Sequence, residues 1–427
     1  MTEKSIISNS DLIEEDTFVH TMATQEEPLL IVKTIHRIEF LFRCVGINIK
    51  SSEKTRSDYI RNRSVYIFNF IWLNIDLAGA VVWFLAGIAN SKSFTELTYV
   101  SPCITLSFLG NFKSLYLIFR ENNVDKLIEV LKNLEIKERS RENDEEKDKI
   151  IKTEHNFVST VISVLNVFYF VLVVAFALSP VSLVALKYFT TNEVELLLPF
   201  LILYPFDAYD LKYWPWVYLR QIWSEVIVVV GICATDYMFY IFCTYIRMQF
   251  RLLRHNIEKM IPSDGNNHVR DNKELREHFV GMIKWHQDLI SSTNILESVY
   301  TRSTLLNFVS SSVLICLTGF NVLAISDVAI VVTFLSFLFM SLLQIFFLCF
   351  FGDLLIASSM EVGDAVYNCR WYLADTSLGK DLLLVQTRAQ TPCKLTASNF
   401  SEVNLKAFMK ILSTAWSYFA LLQTLYK

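Results

Sequence analysis

What constrains this chain most is a run of apolar residues, long enough to cross a lipid bilayer, that recurs several times along it. A hydrocarbon core about 30 Å thick takes about 20 residues of helix. Lipid offers no partner to a free backbone amide, so each run closes its own hydrogen bonds as a helix. Seven segments qualify: 65–89, 99–119, 157–186, 222–246, 303–325, 328–351 and 407–426. The third, fifth and sixth hold no charged residue; the seventh is short and interrupted by Lys410, Ser413 and Ser417. With 53% hydrophobic and 19% charged residues, the chain is expected to be an all-α membrane protein of seven transmembrane helices. The net charge of -4 gives no reason to expect a nucleic-acid partner.

Basic residues in the connections set the orientation. Eight Lys and Arg lie between residues 33 and 63, nine between 120 and 152, and nine between 247 and 302. The alternate connections hold Lys92 in one, Lys187, Lys212 and Arg220 in another, and none between the fifth and sixth spans. That asymmetry predicts a cytosolic N-terminus and an extracellular C-terminus. The arrangement is the reverse of a G-protein-coupled receptor, and a DRY triplet and an NPxxY segment are both absent. The first 28 residues are acidic and lack an apolar core, so no cleavable signal peptide is expected.

Helical rhythm continues beyond the spans. Val124, Leu127, Leu131 and Leu134 follow the second; Phe250, Leu253, Ile257 and Met260 follow the fourth; Leu275, Phe279, Met282, Leu289 and Leu296 lead into the fifth. Two readings are open. Either the spans overrun the bilayer and pack against one another, or the extensions form a cytosolic helical domain that mates with other subunits. The stretches 261–267 and 139–152 are predicted to be solvated loops.

Catalytic patterns are missing: no Walker loop, GxSxG elbow or dinucleotide fingerprint, and no HExxH among seven histidines. The eight cysteines show no CxxC spacing, so neither a metal site nor a cofactor is implied. Charged residues inside spans are costly and point to function. Asp76 and Lys113 are read as an ion pair, or Lys113 as snorkelling to the interface. Asp236 is read as a structural polar contact and Glu225 as an interface residue. Aromatic and small polar residues gather in the outer halves of the spans: Phe108, Phe170, Phe176, Ser179, Thr318, Phe320, Asn321, Thr333 and Phe337. Such a lining suits a small, mostly apolar ligand held by one or two hydrogen bonds; ordinary helix packing is the alternative. The aromatic outer loop 205–218 would lid such a pocket or rest among the headgroups.

Two stretches carry a family resemblance. FGDLLIASSMEVGDAVYNCRWY (351–372) and KLTASNFSEVNLKAFMKILSTAWSYFALLQTLYK (394–427) resemble the corresponding segments of insect odorant receptors. Length, inverted topology and the Pro-Phe-Asp of the outer loop agree, and the loops are similar to those of moth receptors. The long second cytosolic connection of the shared co-receptor is not evident, so the resemblance is to a ligand-tuning subunit. It implies an odorant-gated, non-selective cation channel: a heterotetramer with the co-receptor, in the plasma membrane of a sensory dendrite, opened by a small volatile ligand. It divides the chain into a cytosolic segment (1–64), a six-helix ligand-binding bundle (65–356), a cytosolic connection (357–406) and a pore-lining last helix (407–427). On that alignment Ser417, Leu421, Thr424 and Leu425 face the pore, the leucines at its gate. A gustatory-type channel working without a co-receptor is the alternative, although its usual terminal signature is absent.

Overall fold

The structure, a computed structural model, describes residues 29–47, 49, 56–140, 144–192, 194–261, 273–325 and 328–425. The acidic residues 1–28, most of the predicted 261–267 loop, and residues 141–143 and 426–427 lie outside that range. Among the described residues ten α-helices follow in order: α1 (Leu30–Val45), α2 (Arg56–Ala89), α3 (Phe94–Phe119), α4 (Glu121–Arg139), α5 (Glu145–Thr191), α6 (Trp214–Lys259), α7 (Lys273–Ala324), α8 (Val328–Asn368), α9 (Thr376–Ala389) and α10 (Leu405–Leu425). A two-residue antiparallel hairpin, β1 (Thr396–Ala397) with β2 (Ser401–Glu402), precedes α10.

Among the described residues, six helices are long and apolar enough to cross a membrane: α2, α3, α5, α6, α7 and α8. Helix α10 is the seventh; its 21 residues reach roughly 32 Å, and two lysines dilute its first half. The central helix of the bundle is α6, whose apolar stretch is 78% buried against 17–50% for the other five long helices. Helices α1, α3, α5, α7 and α8 all pack on it.

The 52 residues of α7 and 46 of α6 reach roughly 78 and 69 Å at 1.5 Å per residue, more than twice the bilayer core. Their overhang gathers at the Lys- and Arg-rich end of the bundle, where α1, α4 and α9 close around it. Phe42, Leu127, Leu131, Phe250, Leu253, Phe279, Met282 and Leu289 are buried there in one continuous apolar core. The rhythm beyond the spans therefore marks a packed helical unit, and α8 runs on through residue 356 to Asn368.

Local chemistry fixes the ends. Gly46 closes α1 at φ 89°, a left-handed C-cap that favours glycine. Helix α1 starts without a side-chain cap of its own. Glu135 of α4 supplies one, accepting from the N–H of Leu30 at 2.5 Å and of Ile31 at 3.1 Å. Glu154 of α5 is buried and takes Arg247 at 3.0 Å and Arg251 at 2.5 Å from α6.

Gly352 of α8 lets the hairpin approach α8 closely. A Cβ there would lie 2.2 Å from the carbonyl oxygen of Val403. Backbone cannot step aside as a side chain can, so Gly352→Ala should destabilise the protein by about 1–3 kcal/mol. Gly281 of α7, with nothing within 4 Å, is the control: alanine there should be neutral or mildly stabilising by helix propensity. Thermal unfolding of the purified chain checks both, and equal melting temperatures for the two variants would refute the close-approach account.

Candidate functional site

At the end of the bundle remote from the basic residues, α2, α3, α5, α6 and α8 splay around a cavity of about 970 Å³, counted out through its mouth. Its walls are mostly apolar: Leu73, Leu77 and Ala80 from α2; Tyr99, Val100, Cys103 and Ile104 from α3; Leu172, Val173 and Phe176 from α5; Val228 and Val229 from α6; Phe337 and Met340 from α8. Phe176 holds the aromatic side together, 5.4 Å from Phe200 and 5.3 Å, edge to face, from Phe337. Polar groups are few: Asp76, Ser107, Ser224, Glu225, Thr333 and Ser336. An apolar chamber with a few polar groups is the usual form of a small-molecule site.

The cover is residues 199–202, just before the aromatic loop. Buried Gln221 pins it, accepting from the N–H of Phe200 at 2.9 Å and donating to that residue's carbonyl at 3.2 Å. Leu203 N–H reaches Gly79 O at 3.3 Å, and the Trp214 indole reaches Leu197 O at 2.9 Å. Phe206, Tyr209, Leu211 and Tyr213 of the loop, and Trp216 in the first turn of α6, are exposed instead and do not cover the cavity.

Of the nine residues singled out in the sequence, Phe176, Thr333 and Phe337 line this cavity. Phe108 and Phe170 lie exposed on the outer flank of the bundle, and Ser179 lies outside the cavity wall. Thr318, Phe320 and Asn321 are buried along the seam between α7 and α3. Asn321 there accepts from the Thr98 hydroxyl at 2.7 Å and donates to its carbonyl at 3.0 Å, while Phe320 meets Phe94 edge-on at 5.4 Å. Thr318 donates to Leu314 O within its own helix. Residues 199–202 carried no sequence signal; Asp76 and Glu225 did, as charges at membrane depth, and Glu225 lies in the cavity wall rather than at the interface.

The expected Asp76–Lys113 pair does not form. Lys113 is buried and donates to Asp236 Oδ1 at 2.5 Å; Gln344 Nε2 donates to the other oxygen at 2.9 Å. Asp76 takes Arg220 Nε at 2.8 Å and the Ser224 hydroxyl at 2.5 Å, with the guanidinium 5.2 Å from the centre of the Trp72 ring. The charges sit at different depths and each finds α6, which supplies Arg220, Ser224 and Asp236.

The last helix is two-faced. Ala407, Ile411 and Ala415 are buried against α7 and α8, with Phe408 at 5.6 Å from Phe346. Ser413, Ser417, Leu421 and Thr424 lie away from that face, and they and Leu425 near the helix end are exposed.

At the basic-rich end, ligand atoms of Asp144, Glu146 and His255 lie within 4.8 Å of one another. The Lys259 ammonium, 3.1 Å from Asp144 and 2.7 Å from Glu146, already supplies positive charge there. Hydrogen bonds from His255, the Glu146 N–H and Lys259 hold the Asp144 carboxyl well below the usual carboxylate range.

These features define a multi-pass helical membrane protein with a mostly apolar cavity among its helices. The family model described as 7tm Odorant receptor matches residues 93–416, and the chain belongs to that family. Among its relatives, Odorant receptor 67c of Drosophila melanogaster is 28% identical over 90% of this chain and 94% of its own length. Putative odorant receptor 92a of the same fly is 26% identical over 85% and 88%. The fold matches the olfactory receptor OR5 of Machilis hrabei in complex with eugenol, with a TM-score of 0.74 at 17% identity, covering 92% of this chain and 98% of that one. A second structure of the same receptor gives 0.75 at 18% identity. The chain is therefore an insect odorant receptor of the plasma membrane, not an enzyme.

Proposed function

We propose that this chain is the ligand-tuning subunit of an odorant-gated, non-selective cation channel assembled with a shared co-receptor. The observation that carries the channel reading is the exposed side of α10, where Ser417, Leu421, Thr424 and Leu425 stand clear of the other helices and the Ser417 and Thr424 hydroxyls donate only to carbonyls of α10 itself. A helix with one face packed and the other alternating small polar and leucine residues suits the wall of an axial pore. Phe176, Thr333 and Phe337 are the proposed ligand contacts, inside a cavity fit for an apolar volatile; the eugenol complex of the Machilis hrabei receptor supports an odorant in this fold. The N-terminus is assigned to the cytosol from the basic connections.

Two measurements test this. Cells expressing the chain with an odorant co-receptor should pass cation current on exposure to a panel of apolar volatiles, and cells expressing the chain alone should not. Current from the chain alone would favour the gustatory-type alternative. For topology, the native sequons at Asn62 and Asn399 should stay unmodified, whereas an acceptor site engineered between residues 194 and 209 should be glycosylated. The reverse pattern would overturn the orientation.

A further inference from the structure

Two carboxylates stand in the cavity wall, and the chain treats them differently. Asp76 is fully supplied from α6: Arg220 binds one oxygen and Ser224 the other. Glu225 follows Ser224 directly, yet its Oε2 is shut off from solvent and has no hydrogen-bond partner among the described residues. Nearby polar groups are committed elsewhere. The Ser224 hydroxyl serves Asp76, and Ser336 donates to Val332 O within its own helix. The rest of the wall around Glu225 is apolar, with Cys103, Val228 and Val229 among its neighbours in the lining. Buried polar atoms are nearly always paired, so a carboxyl left without a partner in the wall of a ligand-sized space is a reason to look for its partner in the ligand.

We propose that Glu225 is the polar anchor of the cavity, and that the ligand is an apolar molecule carrying a hydrogen-bond donor, a hydroxyl or an amine, that donates to its carboxyl. The assignment rests on the reading of this cavity as the ligand site. An ether or acetate of the same carbon skeleton offers no donor. It leaves the acceptor positions of the carboxyl unpaired. A site built around a buried hydrogen-bonding group rejects the analogue that lacks the matching group. Asp76, saturated by Arg220 and Ser224, does not compete for the donor.

The test uses the full chain, purified in detergent, with thermal unfolding as the binding readout. Straight-chain primary alcohols and amines of six to twelve carbons are compared with their methyl ethers and acetates. Alcohols and amines should raise the melting temperature at concentrations about 10-fold lower than the matched ethers, a ratio set by one net hydrogen bond. Glu225→Leu should erase that ratio, and Glu225→Gln should keep part of it through its carbonyl. Without ligand, Glu225→Leu should melt no lower than the parent, since no partner is lost. Three results would each overturn the assignment: no shift with any donor, equal shifts with donors and ethers, or a lower melting point for ligand-free Glu225→Leu. Currents recorded alongside separate the two readings. Donor-selective binding with no current in the presence of the co-receptor sinks the channel and leaves the anchor standing.

Discussion

Lys113→Met should be among the most damaging single changes in the membrane core, and pairing it with Asp236→Leu should restore much of the loss. Lys113 is 4% exposed and Asp236 5%, so neither charge has water to fall back on. The ammonium meets one carboxylate oxygen at 2.5 Å and Gln344 holds the other at 2.9 Å. Removing the lysine strands a carboxylate in low dielectric, which costs about 3–5 kcal/mol; replacing both partners with apolar residues of similar volume is often neutral. Surface expression and thermal unfolding of the two single variants and the double check this. A double variant no better than the worse single would show that the ion pair is not what holds α3 to α6. Asp76→Asn serves as a milder comparison. Its partner Arg220 is about a quarter exposed, and more exposed pairs contribute less.

The placement of these charges shows what was legible and what was not. The spans were readable because a long apolar run is a local property, and the packed overhang because its 3/4 rhythm persists past the bilayer length. Pairing is not local. Helices α2 and α3 are joined by a short turn after Ala89, and counting down both arms puts Lys113 about six residues deeper than Asp76, roughly 9 Å along the axis. That offset was countable in the sequence and argues against the pair. It could not have named Asp236, since nothing local says which face of α6 meets α3.

The same limit governs the cavity. Phe108 and Phe176 are equally plausible as pocket aromatics by composition, yet one faces outward and the other sits between Phe200 and Phe337. An apolar face toward lipid and one toward a ligand read alike, because lipid and ligand are both apolar. Asn321 failed for a different reason: its amide looks available in sequence, but Thr98 offers a hydroxyl and a carbonyl across the helix seam. Only unsatisfied groups single out a site, and satisfaction is a property of the fold.

Leu421→Ser or Leu425→Ser, co-expressed with the odorant co-receptor, should raise conductance in the absence of ligand several-fold while leaving surface levels normal. The two leucines lie four residues apart and share one helix face, together with Ser417 and Thr424. That face is the more open one: Leu421 is 54% and Leu425 67% exposed, whereas Ala407, Ile411 and Ala415 hold the helix to its neighbours. Serine at either position therefore disturbs little of the subunit's own packing. If the face lines a pore, the leucines keep its narrow part dry in the closed state, and a hydroxyl lets water in. Phe337→Ala in the cavity wall should act at a different place, shifting the ligand dose–response and leaving ion selectivity alone. Should both serine variants leave basal current, ligand response and selectivity unchanged, this face packs against a neighbouring subunit or lipid and the gate lies elsewhere. A basal current that rises together with altered cation selectivity would put the leucines at the conduction path itself, since a change confined to the ligand cavity has no means of altering which ions pass.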